Sequence, residues 1–161
     1  MTIRFIGVDP GSKGAIAAID DHDNVLFIKD LSSDYQTYWE IIADAADWEG
    51  FYEDNISMVE DVCGRPGQSC QSNTTFMKLA GMAELATYTI SDMSKVKPQV
   101  WKKHFGLISK GLTKTEKKKM SIELAKKLFP SVADQLTASK DGRAEALLLA
   151  KYCKDVYDDK V

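Results

Sequence analysis

The chain has no C-x-x-C pair: Cys63, Cys70 and Cys153 are an odd, scattered set. That excludes a disulfide framework and a thiolate zinc site, and leaves three free thiols. No apolar run approaches the roughly 20 residues of a membrane helix, so no membrane span is expected. The N-terminus lacks the basic segment, apolar core and small-residue cleavage site of a secretory signal, which makes the cytosol the expected compartment. Internal repeats, low-complexity tracts and linkers are missing from the 161 residues, the length of one ordinary domain, and a single domain over 1–161 is expected. Positive charge is nearly missing from the first part, since residues 1–61 carry 14 Asp and Glu against three Lys and Arg. Residues 95–127 invert this, with eleven lysines against Glu116 and Glu123. A net charge of -3 therefore averages an acidic region with a polycationic one, and does not by itself exclude a nucleic-acid partner.

"IRFIGVD" (3–9) is nearly continuously apolar, as in a strand covered on both faces, and ends on Asp9. "GAIAAID" (14–20) and "NVLFIK" (24–29) complete an antiparallel meander of three strands. Tyr35, Tyr38, Trp39, Ile41, Ile42, Ala45 and Trp48 recur at helical spacing and predict a helix over 35–48. "ISMVED" (56–61) is a fourth strand, again closing on carboxylates. A helix over 71–88 follows, with Phe76, Leu79, Ala80, Ala83 and Ala86 as its core stripe. Met77, Met82 and Leu85 are left as apolar surface for a partner. "SKVKP" (94–98) suggests a fifth strand, and Pro98 opens a short helix. Thr113 and Glu116 form a capping box for a helix over 114–128, and the last helix spans 141–156. The expected fold is α/β, a mixed five-stranded sheet flanked by helices, its first three strands antiparallel.

A carboxylate at the end of a buried strand is costly unless a lysine, a helix terminus or a metal ion meets it. Each acid alone has a plain structural reading: Asp9-Pro10-Gly11 is a turn signal, and Asp141 suits a helix N-cap. Together they suggest more. If the first and fourth strands are adjacent and parallel, Asp9 and Glu60 lie side by side at their carboxyl ends, where open α/β sheets place ligands. Asp141 and Glu145, four apart, share one helix face. Four converging carboxylates call for hard cations, Mg²⁺ with Mn²⁺ as substitute, and a pair of such ions supports phosphodiester hydrolysis. Period-two alternation turns Asp61 to the opposite face from Glu60.

Among the basic residues, Lys102, Lys103, Lys110, Lys114, Lys117, Lys118 and Lys119 are candidates to hold phosphates. Arg65 and Gln68, in the glycine-containing loop after Glu60, are candidates for DNA contact. Trp101 is expected in the core, and His104 is left open between phosphate contact and a structural role.

The stretches "FIGVDPGSKGAIAAID", "VEDVCGRPGQS", "KPQVWKKHFGL" and "KDGRAEALLLAKY" resemble the RuvC family of Holliday-junction resolvases, especially its bacteriophage-type members, within the ribonuclease H-like superfamily. The resemblance covers most of the chain in order. It implies a homodimer that nicks two strands of a four-way DNA junction, with Asp9, Glu60, Asp141 and Glu145 as metal ligands and no small-molecule cofactor. It also implies action on DNA repair and recombination intermediates, in the cytoplasm of a bacterium or an infected host cell. Two departures stand out. The bacterial enzymes generally space two aspartates three apart on the last helix, against Asp141 and Glu145 here. They also carry an aromatic soon after the fourth-strand glutamate, where this chain has Cys63-Gly64-Arg65 and no aromatic before Phe76. Rival readings are a ribonuclease H-like enzyme acting on RNA or RNA–DNA hybrid, a non-catalytic DNA-binding module, and a sugar kinase or actin-like ATPase. The last is suggested by "DPGSKGAI" but needs a second domain.

Overall fold

The computed structural model describes residues 3–11, 13–47 and 54–159. Trp48, expected in the first helix, lies outside the described residues. Strands β1 (Ile3–Asp9), β2 (Ala15–Ile19) and β3 (Val25–Asp30) form the antiparallel meander. Helix α1 (Tyr35–Ala46) leads to β4 (Asp54–Glu60), then α2 (Cys70–Tyr88) and β5 (Asp92–Val96). A short α3 (Pro98–His104), α4 (Lys114–Leu128) and α5 (Asp141–Asp158) follow, with two 3-10 turns over 130–135 and 138–140. The sheet order is β3-β2-β1-β4-β5, with β4 parallel to both β1 and β5. The mixed five-stranded sheet matches the expected architecture. The fifth strand begins two residues before the expected start, because its hydrogen bonding to β4 opens at Asp92 ahead of any apolar signal.

Alternation along the central strands sorts the core into two layers. Phe5 and Met58 pack on one face with Trp101, Ile122, Ala125 and the apolar side of α5. Ile6, Val8 and Val59 pack on the other with Tyr38, Ile41 and Ile42 of α1 and Leu79 and Ala83 of α2. Asp9 follows Phe5 and Gly7 on the α5 face, and Glu60 follows Met58 there. Helix α5 is apolar nearly all round in its middle, and Ala144 and Ala146–Ala150 are fully buried. It lies so close to the sheet that a Cβ on Gly7 would fall 2.1 Å from the Ala146 carbonyl oxygen and 2.3 Å from the Ala150 nitrogen. The small residues Ala15 and Ala17 of β2 continue this shallow bed.

Two expectations for α2 are corrected. Phe76 is half-buried and leaves the core stripe, turning toward Gly11 of the β1–β2 turn. Met82, expected on the exposed face, is partly buried against the α1-side core, so the exposed apolar residues of α2 are Met77, Leu85 and Tyr88. The physical reason is that only the second half of α2 packs into the core, its buried residues running from Leu79 to Thr87, while the first half carries none.

The close approach at Gly7 makes a specific demand. Gly7→Ala is expected to destabilise the fold by about 3 kcal/mol, the upper end of the usual overpacking cost, because the clashing atoms are backbone and cannot rotate away. Urea unfolding of the variant against wild type checks this.

Candidate metal centre and phosphate cleft

The carboxyl ends of β1 and β4 open into a cleft of about 980 Å³. The parallel register pairs Val8 with Val59, so the next residues, Asp9 and Glu60, stand side by side. Helix α5 enters the same point from its N-terminus. Its Gly142 lets the first turn approach, since a Cβ there would lie 2.5 Å from the Lys13 carbonyl oxygen and 3.2 Å from Asp9 Oδ2. Arg143 then clamps the helix start to the sheet, its Nε donating to Asp30 Oδ1 at 2.6 Å and its second nitrogen to Oδ2 at 2.9 Å.

Carboxylate oxygens of Asp9, Glu60 and Glu145 lie within 4.8 Å of one another. The fourth expected member, Asp141, lines the same cleft but stands outside this trio, paired with Lys118 at 2.5 Å. One helical turn separates it from Glu145, and the two side chains are equally buried. Asp61 turns away, as alternation requires, to Lys95 at 3.4 Å, and Lys95 also meets Glu84 of α2.

The trio is electrostatically unfavourable by itself. Burial, then repulsion from Glu145 and Glu60, holds the Asp9 carboxyl well above the ordinary carboxylate range. Burial and Glu145 also raise Glu60, partly offset by Lys102 and by the indole of Trp101. Trp101 is fully buried, as expected, and its Nε1 donates to Glu60 Oε1 at 2.9 Å. Lys102 extends into the cluster, donating to Glu145 Oε1 at 3.0 Å. Burial works to lower its pKa, but attraction to Glu145 and Glu60 prevails and holds it above the ordinary lysine value. An all-oxygen donor set of this charge fits a hard divalent cation such as Mg²⁺ or Mn²⁺ and does not fit a thiophilic metal.

Of the remaining basic candidates, Arg65, Lys114, Lys117 and Lys118 line the cleft with Lys102. Lys103, Lys110, Lys119 and Gln68 are exposed outside it. Lys13 and Lys97 also line it. Neither was singled out, and for Lys13 the only signal was its place in the turn after Asp9. The Arg65 guanidinium sits 4.8 Å from the centre of the Phe76 ring, so an aromatic does reach the mouth of the cleft, from α2 instead of from the loop. His104 faces Asp155 at 2.9 Å and packs edge-on against Phe105 and Tyr152, a structural setting.

No protein-family profile matches the chain, and no curated protein matches its sequence. Among solved structures it is similar to Thermus thermophilus RuvC, described as "T. thermophilus RuvC in complex with Holliday junction substrate". The alignment covers 99% of this chain and 96% of that one, with a TM-score of 0.58 and 11% identity. The chain thus has the ribonuclease H-like fold in its RuvC-type arrangement.

The raised carboxyls predict a pH dependence. Asp9 and Glu60 ionise in the folded protein above their ordinary values of 3.8 and 4.5, so over the interval beginning there the folded state holds more protons than the unfolded chain. Their contribution to metal-free stability is present below those values and is lost as pH rises through the folded pKa values. Asp9→Asn should therefore be more stable than wild type without metal, by a margin that widens as pH rises above the ordinary Asp9 value of 3.8. Melting curves in chelator check this, and a margin constant with pH would contradict it.

Proposed function

We propose that the chain is a divalent-metal-dependent endonuclease acting on branched DNA, above all four-way junctions, and that residues 1–161 form one nuclease domain. The observation that carries this reading is the convergence of three strand- and helix-borne carboxylates on the floor of a lysine-walled cleft. Asp9, Glu60, Glu145 and Asp141 are the residues that hold the ions and are the catalytic set. When bound, Mg²⁺, or Mn²⁺ in its place, supplies the charge that activates a water and stabilises the leaving oxygen in phosphodiester hydrolysis.

The protein's own groups divide the remaining work. Trp101 fixes one oxygen of Glu60 and thereby the direction of the other. Lys114, Lys117 and Lys118 present ammonium groups along one wall, suited to the closely spaced phosphates of a branched duplex. Lys102 lies deeper, among the acids. Lys103, Lys110 and Lys119 extend the basic surface outside the cleft, and Arg65 and Gln68 contact DNA from the loop after β4. The RuvC similarity, with its junction-bound structure, favours this substrate over RNA.

The direct test is cleavage of labelled four-way junction, linear duplex and RNA–DNA hybrid with and without Mg²⁺. Junction nicking that requires Mg²⁺ and exceeds cleavage of the other two is the expected result. Asp9→Asn should lower the rate at least about a hundredfold, since even outer-shell partners of a metal site are worth about 10- to 100-fold, while junction retention in gel shift persists. Preference for the hybrid would move the reading to an RNA-processing nuclease, and metal-independent nicking would reject it.

Paired nicks on a two-fold junction need two sites, and we propose a homodimer with a C2 axis. Met77, Leu85 and Tyr88 on α2, with Tyr35 and Trp39 on α1, support this, as large apolar side chains left exposed among the described residues. Leu85 is 67% exposed, so Leu85→Glu leaves the core intact. It is expected to shift sedimentation toward monomer and to reduce paired nicking more than single nicking. A wild type that sediments as monomer with and without junction DNA would defeat the dimer.

A further inference from the structure

Three negative side chains meet in the cleft, and one ammonium already sits among them. Lys102 Nζ is 3.0 Å from Glu145 Oε1 and is attracted as well to Glu60 and Asp9. Its backbone is held by the neighbouring Trp101, which is fully buried and bonded to Glu60, so the root of the lysine is fixed relative to the acids. Its tip is not fixed in the same way. The ammonium lies 4.9 Å from the Trp101 ring, the side chain keeps 31% of its surface exposed, and four methylenes link it to α3. It is seated on the cluster with a route to solvent.

We propose that Lys102 is the resident counter-cation of the acid cluster, an ammonium that a divalent ion displaces from Glu145 on binding, so that Lys102 sets how tightly the site loads. The proposal rests on the metal reading given above. Without metal, the lysine offsets the repulsion among Asp9, Glu60 and Glu145 and keeps the cleft folded. With metal, the same charge competes for the Glu145 oxygen, and two cations within a few ångströms of each other repel. Lys118 makes a similar pair with Asp141, which is as buried as Glu145 but stands outside the trio. Of the other lysines of the run, Lys95 is paired with Asp61 and Glu84, and Lys97, Lys114 and Lys117 line the cleft. Only Lys102, among the described residues, places a hydrogen-bonded ammonium on a member of the trio.

The test measures binding of Mg²⁺, and of Mn²⁺ separately, to the full chain by titration calorimetry without DNA, alongside melting temperature in chelator. Lys102→Met is expected to bind the ion about tenfold more tightly or better, to melt lower than wild type without metal, and to show the larger rise in melting temperature on adding it. Lys102→Gln replaces it where the methionine variant does not fold. Lys102→Arg keeps the charge and should not tighten binding. Lys127→Met, which removes a solvent-facing lysine of α4, controls for net charge. Unchanged or weaker metal binding in the neutral Lys102 variants overturns the proposal, as does equal tightening in Lys102→Arg or Lys127→Met. A wild type that binds neither ion defeats the metal reading itself, whereas a wild type that binds while Lys102→Met binds no better defeats the proposal alone.

Discussion

Like charges repel most strongly where water is scarce, and the cleft forces three carboxylates to within 4.8 Å of one another. That constraint organises its surroundings. The indole of Trp101 and the ammonium of Lys102 each occupy an oxygen of the cluster, and Lys118 takes Asp141. Such an arrangement is tolerated only if the scaffold holding the acids is stiffer than their repulsion. Stiffness comes from β1, the central strand, paired on both sides, and from α5 pressed directly upon it. Gly7 removes the side chain that would separate helix from strand. Gly142 removes the one that would keep the helix start away from Asp9, and the two-point clamp of Arg143 on Asp30 resists the recoil.

The fold was largely legible because its signals are local. Continuous apolar runs mark β1 and β4, the capping box at Thr113 and Glu116 is present as read, and Pro98 opens α3. Alternation turned Asp61 away from Glu60, while setting Glu60 beside Asp9 also required β1 and β4 to be adjacent and parallel, as they are. What escaped was non-local. Phe76 has the spacing of a core residue, but spacing cannot say where a helix leaves the sheet, and the first turns of α2 overhang the cleft. Met82 and Met77 look alike in sequence, yet only Met77 is well exposed.

The acids and the lysines were legible to different degrees for the same reason. A carboxylate at a strand end is constrained by the strand's register, so two such strands fix two acids relative to each other. A lysine on a helix is constrained only in direction, and its long stem lets neighbours serve different ends. Lys102 and Lys103 are adjacent in sequence, but one is bonded to Glu145 and the other is exposed. Trp101 was expected in the core and is there. Its donation to Glu60 required knowing that α3 crosses above the end of β4, which no local pattern encodes.

The charge segregation along the chain acquires meaning only in three dimensions. The acid-rich first part and the lysine-rich stretch over 95–127 would make a poor nucleic-acid binder if each occupied its own surface, since the acidic face would repel the ligand the basic face attracts. The topology instead brings members of both to one cleft: β1 and β4 carry Asp9 and Glu60 to the floor, while α3 and α4, arriving after β5, bring Lys102, Lys114, Lys117 and Lys118 to the floor and wall. Negative charge is thus held below the plane where a phosphate backbone would lie, screened by Trp101 and Lys102, and positive charge stands around it. A hard cation on the floor would cancel most of the charge of the three carboxylates and leave the lysines around it to attract phosphate. On the proposed reading, metal loading and DNA binding would favour each other through space, with Lys102 the side chain that yields the site.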